Sequence, residues 1–164
     1  MTKREILLDA LASTPADISR LARSLEAIMP NREPDTPTSP QDVIIQLIHN
    51  ENSFQGQLTR LLSEDGSNLP HTTSDRRVDD QHPSILQLGR QFNDARQSTM
   101  NALKTLELKE WQRKAYLKDE KPVTLRFLVQ RLVEHDIDCT NQLVEIIQAI
   151  RNANSTNNHY HPAS

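Results

Sequence analysis

Four stretches of this sequence repeat apolar residues at three- and four-residue steps, the spacing that turns one face of an α-helix towards a core. Ile18, Leu21, Ala22, Leu25, Ile28 and Met29 make the first stripe, and Val43, Leu47, Phe54, Leu58 and Leu61 the second. Ile85, Leu88, Phe92, Ala95, Thr99, Ala102, Leu103 and Leu106 make the third. Leu125, Leu128, Leu132, Leu143, Ile146, Ile147 and Ile150 make the fourth. Leucine outnumbers valine 20 to 6 and there are only 3 glycines, a balance that favours helices over strands and hairpins. Four long amphipathic helices with short-to-medium connections predict an all-α four-helix bundle.

Local signals place the boundaries. Thr14-Pro15-Ala16-Asp17 reads as an N-cap, a proline at the first helical position and an acid in the first turn. Residues 3–12 would then be a separate lead-in helix, because a proline disfavours helix immediately before it. Pro30, Pro34 and Pro37 mark an irregular connection, and Ser39-Pro40-Gln41-Asp42 starts the second helix, which is expected to end near Asp65-Gly66. The polar segment 63–82 reads as a long surface loop with a charged patch at Asp75, Arg76, Arg77, Asp79 and Asp80. His82-Pro83-Ser84 opens the third helix, 107–122 is a connector holding Trp111, and Thr124 caps the fourth helix. Residues 1–151 form one domain by this reading, and the Asn/Ser-rich segment 152–164 a disordered tail.

Several function classes fall away on composition. The single Cys excludes an internal disulfide framework, and a net charge of −3 gives no ground for a nucleic-acid partner. No apolar stretch reaches the ~20 residues of a membrane span, and Ile6-Leu7-Leu8 is too short for a secretory signal core. The expectation is a cytoplasmic protein with no membrane partner. There is no glycine-rich phosphate loop, no Gly-x-Ser-x-Gly turn and no Cys-x-x-Cys pair.

Chemistry concentrates on the fourth helix. His135 and Cys139 stand four residues apart on its apolar side, a spacing that lets an imidazole nitrogen and a sulfur meet one Zn²⁺ or other late first-row divalent ion. A third ligand must come from another helix. The second helix offers Gln46 and Asn50 nearer its apolar stripe, and His49 towards solvent. The plainer reading makes Cys139 a small buried hydrophobe and His135 a hydrogen-bonded neighbour of Asp136 or Gln46. His71 and His82 fall in or beside the loop, and His159 and His161 in the tail. Glu51 and Asp136 are acids on different helices, and spacing alone does not bring them together.

The run Leu132-Val133-Glu134-His135-Asp136-Ile137-Asp138-Cys139-Thr140-Asn141-Gln142-Leu143, with the order of helices, resembles the DinB/YfiT-like superfamily. Thr14-Pro15, Asp42 to Glu51, Phe92 to Arg96 and Trp111-x-Arg113 extend the resemblance over roughly residues 3–151. It implies a four-helix bundle in which three His residues, one from helix two and two from helix four, hold a divalent metal such as Zn, Ni or Mn. Carried onto this chain, His135 matches the first helix-four ligand and Cys139 falls where the second His is expected. Gln46, before Leu47 and five residues ahead of Glu51, matches the helix-two position, with His49 three residues further on.

Two functions follow from the resemblance. One is a metal-dependent enzyme of thiol-linked transferase, isomerase or hydrolase type, with an unidentified small-molecule substrate and a degenerate site at His135, Cys139 and Gln46 or His49. The other is a non-catalytic bundle that has lost the metal and acts as a homodimer or partner-binding module. A reactive-thiol role for Cys139 ranks last, because no cation is placed to activate it.

Overall fold

The computed structural model describes residues 1–29, 38–63, 68–69, 83–117 and 122–159. Four long helices build it: α1 (Lys3–Ile28), α2 (Pro40–Ser63), α3 (Ile85–Lys104) and α5 (Leu125–His159). A short helix α4 (Leu108–Trp111) and three short strands, β1 (Asn68–Leu69), β2 (Lys114–Leu117) and β3 (Pro122–Thr124), complete the order α1 α2 β1 α3 α4 β2 β3 α5.

Side-chain caps set most helix starts. Ser39 accepts from the Asp42 amide at 3.1 Å, and Thr124 from Phe127 at 3.2 Å, both as the sequence predicts. Ser84 and Gln87 close a capping box on α3. The first helix differs from expectation. Thr2 and Glu5 form a capping box that starts α1 at Lys3, so there is no separate lead-in helix and Pro15 lies inside a continuous one. Thr14 is buried in the bundle and caps nothing.

Two apolar clusters fill the interior. One gathers Ile18 to Leu25 of α1, Val43 to Leu47 of α2, Ile85 to Phe92 of α3 and Cys139 to Ile150 of α5. The other gathers Leu11, Phe54 to Leu61, Met100, Leu103, Trp111, Ala115 and Leu125 to Leu132. The C-terminal halves of α1 and α5 therefore share an end with the N-terminal halves of α2 and α3. Helices α1 and α5 run one way, α2 and α3 the other. Since α2 and α3 are parallel, the end of α2 and the start of α3 lie at opposite ends of the bundle, separated by roughly 36 Å for a helix of 24 residues. That is a topological reason for the long connection.

Of that connection, only β1 and the residues from Pro83 onward are described; Asp65-Gly66, the charged patch, His71 and His82 lie outside the described residues, as do Pro30, Pro34 and Pro37. β1 pairs parallel to β2, and β2 pairs antiparallel to β3 with Ala115 opposite Val123. The expected connector thus holds a helical turn and a hairpin. It closes one end of the bundle with the Trp111 ring, which is 1% exposed. At the other end of the chain, α5 continues to His159, so residues 152–159, expected to lie in a disordered tail, are helical. Helical bonds need only a continuous backbone, and α5 is anchored over its preceding turns by Leu143, Ile146, Ile147 and Ile150. His161 lies outside the described residues. Among the described residues, no helix is long and apolar enough to cross a membrane.

Candidate functional site

Between the two apolar clusters lies a layer of buried polar side chains: Thr14, Glu51, Arg96, Thr99 and Asp136. Each occupies a core position of its helix. Glu51 sits between Leu47 and Phe54, Arg96 follows Phe92 by four, and Asp136 stands between Leu132 and Cys139. Arg96 is the hub. Its Nε and Nη2 donate to the two oxygens of Glu51 at 2.9 and 2.8 Å, and its Nη2 and Nη1 to the two oxygens of Asp136 at 2.9 and 2.8 Å. The remaining Nη1 hydrogen reaches the Leu11 carbonyl at 2.8 Å. All the N–H donors of the guanidinium are used. Thr14 Oγ1 adds a hydrogen bond to Asp136 Oδ2 at 2.9 Å.

The Leu11 carbonyl is free for Arg96 because of Pro15. In a regular helix the amide of residue 15 would donate to that oxygen; proline has no amide hydrogen. Arg96 also lies 5.0 Å from the centre of the Phe92 ring, a cation–π distance. Gln55 Nε2 extends the layer by donating to Ala95 O and Thr99 Oγ1 at 2.8 and 2.9 Å. Burial works against the guanidinium's charge. The hydrogen bonds and charges of Asp136 and Glu51 outweigh it and hold the Arg96 pKa above its ordinary value. The acids that spacing did not bring together are brought together by this arginine.

The sequence-predicted site residues are placed less favourably. His135 is exposed, because the buried seam of α5 runs Leu132, Asp136, Cys139, Leu143 and leaves residue 135 off it. This corrects the expectation that His135 shares the apolar side of the helix with Cys139; Asp136 shares it instead. Cys139 is buried among the residues of the first cluster. Burial, then the charges of Asp136 and Asp138, push its thiol up to about 11. Gln46 is exposed, and its amide nitrogen donates to Asn50 Oδ1 at 2.8 Å. His49 is half-buried rather than solvent-facing, and its Nε2 is enclosed without a hydrogen-bond partner. A cleft of about 410 Å³ lined by Leu62, Leu106, Glu107 and Arg113 among others lies at the hairpin end, in the half of the bundle away from Cys139.

No family model and no curated protein sequence matches the chain. Solved structures do. YfiT from Bacillus subtilis, described as a probable metal-dependent hydrolase with an unusual four-helix bundle topology, superposes with a TM-score of 0.69 at 17% identity. The match covers 90% of this chain and 89% of that one. This chain has the DinB/YfiT-like fold. A DinB-like protein from Bacillus subtilis, YjoA, superposes with a TM-score of 0.60 at 15% identity, over 87% of this chain and 90% of that one.

The metal that the resemblance implies for a DinB/YfiT-like bundle is poorly matched by the residues present. Among the described residues no three His, Cys, Asp or Glu side chains gather in a metal-binding group, so His49, His135 and Cys139 are not assembled as one. With Gln46 instead of His49, the set would be one exposed imidazole, one neutral amide and one thiol that holds its proton at neutral pH. A thiol binds metal as thiolate, and an amide oxygen is a weak ligand for a late divalent ion. The donor set does not fit a resident metal.

Proposed function

We propose that this DinB/YfiT-like bundle no longer carries a resident metal and works as a non-catalytic module, pairing with a second copy or another protein through a helix face. One observation carries the reading. Cys139, where the resemblance expects a metal-binding His, is a buried thiol with its pKa raised to about 11. Apolar side chains remain on the outside of α5, with Ile137 54% and Val144 37% exposed, and they supply surface for such pairing.

Elemental analysis of protein purified without chelator tests it. The expected result is far less than one metal per chain, with a thermal midpoint indifferent to added Zn²⁺, Ni²⁺ or Mn²⁺. Near-stoichiometric metal that disappears in His135→Ala would overturn it. The same result would establish the second reading, a metal-dependent transferase, isomerase or hydrolase with ligands at His135, Cys139 and Gln46 or His49. That reading draws support from the four-residue spacing of His135 and Cys139 and from the likeness to YfiT. Light scattering over a dilution series follows the pairing; a monomer at every concentration, with metal bound, counts against the module.

A further inference from the structure

We infer that Pro15 and Arg96 form one device: the proline opens the hydrogen-bond ladder of α1 at Leu11, and Arg96 fills the opening to clasp the four long helices together at mid-height. A proline in a helix interior removes a hydrogen bond and crowds the carbonyl four residues back. Here that carbonyl belongs to Leu11, which is fully buried, so without a partner it would be an orphan acceptor in the core. Arg96 Nη1 reaches it at 2.8 Å, and the same guanidinium holds Glu51 of α2 and Asp136 of α5. Thr14, next to the proline, donates to Asp136 Oδ2, the oxygen that Arg96 Nη1 also reaches.

The clasp therefore has α1 contribute a carbonyl and a hydroxyl, α2 and α5 a carboxylate each, and α3 the cation. Asp136 is one helical turn from Cys139, so the device also fixes the part of α5 that keeps the thiol inside. Pro15 is the half of the device that releases the acceptor, and Arg96 the half that makes its release tolerable. Neither is independent of the other.

A thermodynamic cycle tests the coupling. Pro15→Ala is made in the parent chain and in a background where the charged layer is replaced by apolar residues, Glu51→Leu, Arg96→Met and Asp136→Leu. Arg96→Lys serves as a second background, since the three N–H donors of an ammonium cannot replace the five guanidinium contacts that hold both carboxylates by both oxygens and reach the Leu11 carbonyl. The thermal midpoint should rise at least about 3 °C more on Pro15→Ala in the altered backgrounds than in the parent. Exchange of the backbone amide that Pro15→Ala introduces is the direct readout. That N–H should be at least tenfold better protected in the altered backgrounds than in the parent, where Arg96 still occupies the carbonyl. Equal gains in midpoint and equal protection of this amide across all backgrounds would overturn the device. Should the triple replacement fail to fold, the Arg96→Lys arm decides by the same criteria.

Discussion

Arg96 is the side chain on which most depends. It is 1% exposed and faces two carboxylates, so removing it strands two buried charges. Breaking such a group from one side costs about 3–5 kcal/mol, whereas replacing the whole group by apolar residues of similar volume can be neutral. Arg96→Met should therefore lose stability of that order in urea unfolding, and Glu51→Leu/Arg96→Met/Asp136→Leu much less. A triple variant weaker than the single one would contradict this account of the layer. Cys139 gives a second expectation. The thiol keeps its proton in the folded chain up to about 11, against an ordinary value of 9.0. Between those values the folded state holds the proton and the unfolded state has released it. The thiol's contribution is complete below pH ~9 and lost as pH rises to about 11. Unfolding curves should show stability falling across that window, with a shallower fall in Cys139→Ala; identical slopes would mean that the thiol ionises as freely as an exposed one.

At the level of the element, the helices were legible from their apolar stripes because burial repeats at a fixed spacing whatever the partner helix. The layer between them was harder to read, since its members are polar and leave gaps in those stripes. On α2 the gap between Leu47 and Phe54 is filled by Glu51, and on α5 the gap between Leu132 and Leu143 holds Asp136 and Cys139. Charged residues standing in seam positions were the signal for the clasp. Arg96 lay within a stretch that resembled the superfamily, but spacing along one helix cannot say which charges on other helices meet it. Pro15 misled for a related reason. A proline after a Thr is a good helix start, and only the contact between Arg96 and the Leu11 carbonyl explains why it is tolerated in mid-helix. The site residues on α5 turned on a single step of the helix: Asp136 takes the seam position, which leaves His135 outside.

For the molecule as a whole, each of the four long helices contributes to both sides of the polar layer. The halves are not separable domains, because separating them would require α1, α2, α3 and α5 all to break near the same height. The single tryptophan lies in one half and the single cysteine in the other. Tryptophan emission and thiol labelling followed through the same urea titration should therefore give coincident midpoints; separate midpoints would mean that the layer divides the bundle into independently melting parts. Burial of Trp111 at the hairpin end thus gives the chain a native optical probe, and Cys139 a chemical one just across the polar layer, in the other half. The two halves of the bundle can be watched at once without adding a label to either.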